Sequence, residues 1–262
     1  MFGNATQTPA SPLSTRRAKL FEPPSTVSAG PSIDHTDPLA AGLSYKAGKD
    51  YVQAAIWLRK AAERGASNAQ YHLGSLYKHG QGVAQDYTLA ALWFGRAAAQ
   101  GHARAQCALG VLYKHGQGVG QDFVLAAQWL REAVAQGHGT AQYHLGDLYQ
   151  EGLGVPRDLA QAASWFRRAA EQGCGAAQYY LATMYRDGRG VLRDFEQAAH
   201  WFRQAADQGS SLAQYSLGDL YKCGQGVRRD DEQAASWLRK AVDYGQAEVS
   251  AGSIFSTQQR DA

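Results

Sequence analysis

Three cysteines in 262 residues are too few for a stapled fold. Cys107, Cys174 and Cys223 are odd in number and form no CxxC pair, so they suggest neither a disulfide ladder nor a zinc set. Such usage fits a reducing compartment. Net charge is also scarce. A balance of +3 at this length lacks the basic stripe of a dedicated nucleic-acid binder, so no nucleic-acid partner is expected. No apolar run approaches the ~18 residues of a membrane span, and none is expected. Residues 1 to about 36 lack any period. They are rich in Ser, Thr and Pro, and Pro9, Pro12, Pro23, Pro24 and Pro31 would interrupt a helix wherever it began. This stretch has no apolar core of a secretory leader. The first 21 residues carry Arg16, Arg17 and Lys19 and no acid, which loosely resembles a transit peptide, and the prolines count against that. The reading is a solvated, disordered tail over 1–36.

What is present is a repeat. AQYHLGSLYKHGQGV begins at Ala69 and returns, varied, at Ala105, Ala141, Ala177 and Ala213, each 36 residues after the last. A period of that length points to a stacked helical array, whose size is set by copy number. Within a unit, Gly65 and its equivalents Gly101, Gly137, Gly173, Gly209 and Gly245 close the preceding helix. A helix A follows from about Ser67 to Lys78, with Leu73, Leu76 and Tyr77 on one stripe and Gly74 leaving room for a neighbour. Gly80 and Gly82 break the chain, and Val83 turns back towards the core. Asp86, Asp122, Asp158, Asp194 and Asp230 are expected to cap helix B. Helix B carries Ala90, Trp93, Phe94, Ala97 and Ala98 at helical spacing. The six tryptophans, Trp57, Trp93, Trp129, Trp165, Trp201 and Trp237, fall on the same period and read as a core ladder.

A shortened first repeat precedes these units. Asp37 caps a helix from Pro38 to about Ala47, Gly48, Lys49 and Asp50 make a turn, and a second helix runs from Tyr51 to Arg64. The array is therefore expected over 37–245, with a degenerate capping helix and tail over 246–262.

The pattern AQxxLGxLYxxGxGVxxDxxxAAxWxxxAAxQG resembles the Sel1-like repeat, a relative of the tetratricopeptide repeat. Five full units fill nearly every signature position. Ala182 and Met184, and Val134 and Val242, are the departures. The resemblance implies an all-α fold, an αα-solenoid of helix-turn-helix repeats in a right-handed superhelix. It also implies an adaptor or scaffold for protein complexes.

Chemistry is hard to find. The GxGV loop joins two helices rather than a strand and a helix, so it is a turn and not a phosphate cradle. Equivalent histidines such as His79 and His115 should sit ~10 Å apart, too far to share zinc. They read as solvated or helix-capping. Neither GxSxG nor Ser-x-x-Lys occurs. An exported, cysteine-rich branch of the family is associated with β-lactams, but it carries paired cysteines in each repeat and this chain has none. No catalytic residue, metal ligand or cofactor is expected.

The surface remains. By analogy with the related repeat, helix A lines a concave face where partners bind. Its outward positions form three ladders. The first is Tyr71, Cys107, Tyr143, Tyr179 and Tyr215. The second is Ser75, Val111, Asp147, Thr183 and Asp219. The third is Lys78, Lys114, Gln150, Arg186 and Lys222. A tyrosine row beside a basic row suits an extended or acidic peptide, although the tyrosines could instead cover the seam between helices. The expected function is a non-enzymatic protein-protein interaction module that binds a protein or peptide. The alternatives are an exported β-lactamase-like or peptidoglycan-active hydrolase, or a secreted effector using the same surface. The expected address is the cytoplasm, with export through an N-terminal signal as the alternative.

Overall fold

Most helices in this protein begin where a side chain offers an acceptor to their free first-turn N–H groups; those starting at Ser67 and Gly175 have no such cap. In the computed structural model, which describes residues 36–242, the Asp122 carboxylate accepts from Val124 and Leu125 (both 2.9 Å), and Asp158, Asp194 and Asp230 repeat the arrangement. These hydrogen bonds hold the Asp158 carboxyl below the usual carboxylate range, that from Gln161 contributing most. Helices end at left-handed glycines. Gly152, at φ 73°, donates its N–H back to the Leu148 carbonyl and closes its helix.

The described residues divide into two compact units, the first ending at Asp86 and the second beginning at Tyr87. In the first, α1 (Pro38–Ala47) pairs with α2 (Tyr51–Glu63), and α2 packs on α3 (Ser67–His79). Asp37 and Asp50 cap α1 and α2 as expected. The left-handed residue of the intervening turn is Lys49 (φ 63°) rather than Gly48. The second unit holds α4 (Tyr87–Ala99), α5 (Ala103–His115), α6 (Phe123–Ala135), α7 (Gly139–Glu151), α8 (Leu159–Glu171), α9 (Gly175–Asp187), α10 (Phe195–Asp207) and α11 (Ser211–Cys223). A last helix, α12, is described over 231–242. From α4 to α11, each helix packs on the next in sequence, closing helix-turn-helix pairs one after another. This is an all-α chain, an αα-solenoid, with no strand among the described residues. The tail expected over 1–36, apart from Thr36, and the capping helix expected over 246–262 lie outside the described residues.

The core differs from the expected ladder by one residue. Leu58, Phe94, Leu130, Phe166 and Phe202, each just after a tryptophan, are at most 1% exposed. Of the tryptophans only Trp93 is buried; Trp57, Trp129, Trp165, Trp201 and Trp237 are half-buried at the edge of the core. Successive helix positions are ~100° apart, so only one of the two rings can point at the centre. The helix A glycines make room for that central side chain. A Cβ on Gly146 would lie 2.9 Å from the Phe166 ring, and one on Gly110 2.9 Å from Leu130 Cγ. Ala182 occupies this position in α9 and is itself fully buried.

A buried glutamine row runs through helix A and went unread in the sequence. Gln106, Gln178 and Gln214 donate Nε2 to the carbonyls of Ala98, Ala170 and Ala206 at the end of the preceding helix B. In the first unit Gln70 donates to Ala62 in the same way. Gln136, Gln172 and Gln208 then donate to Oε1 of Gln106, Gln142 and Gln178. Gln70, Gln106, Gln178 and Gln214 thus give a second donor to a helix-end carbonyl that already accepts from the N–H of the closing glycine.

Two helix A elements are capped by imidazoles. His102 Nδ1 accepts from the Ala105 N–H and His138 Nδ1 from the Ala141 N–H, both at 3.2 Å. Ser210 Oγ does the same for Ala213 at 3.3 Å. An Nδ1 accepts only when it carries no proton. Burial lowers both pKa values below the ordinary 6.5, with Arg104 contributing to each and His102 to that of His138. Above 6.5 both folded and unfolded chains hold these histidines neutral. As pH falls below 6.5 the unfolded chain takes up protons first, so the caps' contribution to stability is lost as pH falls through the depressed folded values. The urea midpoint of the wild type is expected to drop between pH 7.5 and 5. A His102→Ser, His138→Ser double variant should show a shallower drop. Equal drops would place the pH dependence elsewhere.

Candidate functional site

The positions of the three ladders recur once per turn along each helix A, after its alanine-glutamine pair. On α3, Tyr71, Ser75 and Lys78 are half-buried. Behind them Lys46 Nζ on α1 lies 2.9 Å from His72 Nδ1. In the second unit the positions are drawn into contacts between repeats. Lys114 of α5 forms a hydrogen-bonded ion pair with Asp147 of α7, with the two side chains 14% and 17% exposed. Val111 beside them is half-buried, and Cys107, in the tyrosine ladder, is buried in the core.

The tyrosines interlock further along. The Tyr143 ring lies 5.9 Å from both Phe166 and Tyr180, and Tyr180 stacks on Phe166 at 5.4 Å and 16°. Tyr179 meets Tyr180 edge-on at 5.7 Å and Phe202 at 5.8 Å. Burial, with lesser contributions from Tyr180 and Asp147, pushes the Tyr143 phenol pKa upward. Thr183 Oγ1 donates to the Tyr180 carbonyl at 2.6 Å. Tyr143 and Tyr179 therefore cover the seam between helices, one of the two roles open to them from sequence.

Two of the four cations in the basic ladder, Lys114 and Arg186, are paired with carboxylates of the chain. Besides the Lys114–Asp147 pair, Arg186 Nε donates to Asp187 at 2.7 Å and Gln150 donates to Glu151 at 2.9 Å. The Arg186–Asp187 hydrogen bond raises the pKa of the guanidinium and lowers that of the carboxyl, and Asp219 adds to the Arg186 shift. The face opens at α11, where Tyr215 is 62% exposed beside exposed Asp219, Lys222 and Leu212. Leu212 was not foreseen. It stands where other units carry Asn68, Arg104, Thr140 or Ala176, and that exchange was its one signal. Among the described residues, no three His, Cys, Asp or Glu side chains converge on a possible metal position. No described helix is long and apolar enough to cross a membrane.

The helix pairs and their repeating face define an αα-solenoid repeat protein. The Sel1 repeat model matches residues 40–65, 67–102, 103–138, 139–174, 175–210 and 211–245. The chain belongs to the Sel1 repeat family, whose members are commonly protein-interaction adaptors. It is similar to c5321, a protective antigen of uropathogenic Escherichia coli with an SLR fold, at 37% identity and a TM-score of 0.75. That match covers 88% of this chain but 48% of the other, so the chain spans about half the length of that relative. A Sel1 repeat protein from Oxalobacter formigenes is 33% identical over 80% of this chain and 84% of its own, with a TM-score of 0.74. Immunity protein PA5088 from Pseudomonas aeruginosa shares the fold at 20% identity, covering 83% of this chain and 84% of its own, with a TM-score of 0.53. No curated protein matches the chain significantly.

Proposed function

We propose that this protein is a non-enzymatic adaptor that binds a protein or peptide on the helix A face, with α11 as the exposed part of that face. The observation that carries this reading is Tyr215. The equivalent rings of Tyr143 and Tyr179 are spent on packing, whereas Tyr215 stands 62% exposed with Asp219 and Lys222 exposed on the same helix. An exposed tyrosine flanked by charges of both signs is a hot-spot composition. Mixed charge suits a partner that offers both signs better than a purely acidic one. The adaptor role common in the family supports the same reading.

The test uses α11 and spares Tyr143 and Tyr179, whose loss would disturb the core. A Tyr215→Ser, Asp219→Lys, Lys222→Glu variant should keep the wild-type circular dichroism spectrum. It should also lose the proteins that the wild type captures in a crosslinked pull-down. An unchanged capture profile would sink the α11 assignment. Turnover of nitrocefin or peptidoglycan by the purified chain would overturn the non-enzymatic reading itself.

A further inference from the structure

Four of the six tryptophans share a pattern that Trp129 and Trp201 break. Lys60 lies 4.2 Å from the Trp57 ring centre, Arg96 4.7 Å from Trp93, Arg168 4.7 Å from Trp165 and Lys240 3.9 Å from Trp237. Each cation comes from the residue three positions after the ring, one helical turn along. After Trp201 that position is Gln204, which is engaged by Gln178 and His200. After Trp129 it is Glu132, a charge of the opposite sign. Among the described residues no lysine or arginine lies over the Trp129 ring.

The ring faces space. Trp129 and Glu132 of α6 line an open cleft of about 450 Å³ together with Gln128, Ala98 and Gly101 at the end of α4. That volume falls within the ~300–1,000 Å³ typical of ligand pockets. Its far wall is small. Ala98 offers one methyl group, and a Cβ on Gly101 would meet nothing within 4 Å. The cleft therefore presents a half-buried aromatic face, an exposed carboxylate one turn away and the Gln128 amide at the rim.

We propose that the Trp129–Glu132 cleft binds a lysine or arginine side chain presented by a protein partner. An ammonium or guanidinium is drawn to the face of an indole, and a neighbouring carboxylate strengthens the attraction. Four of the five sister repeats place their own lysine or arginine over the equivalent ring. The missing occupant thus has the chemistry of a basic protein side chain. The site lies on helix B and the end of α4, apart from the helix A face, and does not depend on the function proposed for that face.

The experiment is an indole N–H NMR titration of the full chain, with the Trp129 resonance assigned as the one lost in Trp129→Phe. The probes are N-acetyl-arginine amide, N-acetyl-lysine amide and a short arginine-centred peptide, with N-acetyl-glutamine amide as the uncharged control. The expected result is a saturable shift of the Trp129 resonance with the cationic probes and none with the control, the peptide binding at least as tightly as the free amides. Glu132→Gln should weaken binding by roughly tenfold. Glu132→Arg recreates the Trp165–Arg168 arrangement, should fold normally and should abolish the shift. Absence of a Trp129 shift with every cationic probe, or an undiminished shift in Glu132→Arg, would overturn the proposal. A shift with the free amides but not with the peptide would overturn its protein source.

Discussion

Phe166→Ala is expected to cost about 3–5 kcal/mol of stability, against about 1–2 kcal/mol for Trp165→Ala next to it. The sizes of the two residues alone would predict the opposite order. Phe166 is fully buried, stacks on Tyr180, meets Tyr143 and fills the space left by Gly146. Its removal opens a cavity shared by α7, α8 and α9, and the surrounding side chains can collapse only in part. Trp165 is half-buried under Arg168, and its loss uncovers the edge of the core without hollowing it. Urea unfolding followed by far-ultraviolet circular dichroism gives the midpoints. Hydrogen exchange over α7–α9 locates the loss, which matters because arrays of this kind unfold by segments. Equal costs for the two variants would show that the tryptophan shares the centre of the core.

The second large effect is expected at the loop. Gly154→Ala should destabilise the protein by about 3 kcal/mol or more, and Gly173→Ala by about 1–2 kcal/mol. Both glycines have positive φ, 67° and 83°, so both substitutions strain the backbone. Only Gly154 adds a collision. A Cβ there would run into the carbonyl of Phe123 at the start of α6, whereas one on Gly173 meets nothing within 4 Å. Gly118, Gly190 and Gly226 rest in the same way on Tyr87, Leu159 and Phe195. This second loop glycine lets each loop settle directly on the backbone of the preceding helix B, and so sets the spacing of the repeats. Backbone cannot yield as a flexible side chain does, so the alanine must push the repeats apart. Comparable urea midpoints for Gly154→Ala and Gly173→Ala would rule out that role.

Much of this architecture is legible in the sequence because it is local. Helix limits follow from capping aspartates and closing glycines, and the stripe of Leu73, Leu76 and Tyr77 needs only the 3.6-residue period. The candidate face was legible as a set of positions but not as a surface. The sequence placed Tyr143, Tyr179 and Tyr215 in one row with equal standing. Packing then bound the first two to Phe166, Tyr180 and Phe202 and left the third exposed. Lys114 read as one rung of a basic row until Asp147, 33 residues on, came within reach.

By itself, the sequence determined the helices, their order, the repeat length and the turns between them. Each of these is set by residues within a few positions of one another, where capping, periodicity and glycine geometry act. Tertiary structure alone decided which of two adjacent aromatics is central and which charges are neutralised. It also decided which amides reach the buried helix ends. Those outcomes depend on the distance from one repeat to the next. That distance comes from side chains meeting across helices, which no local pattern encodes.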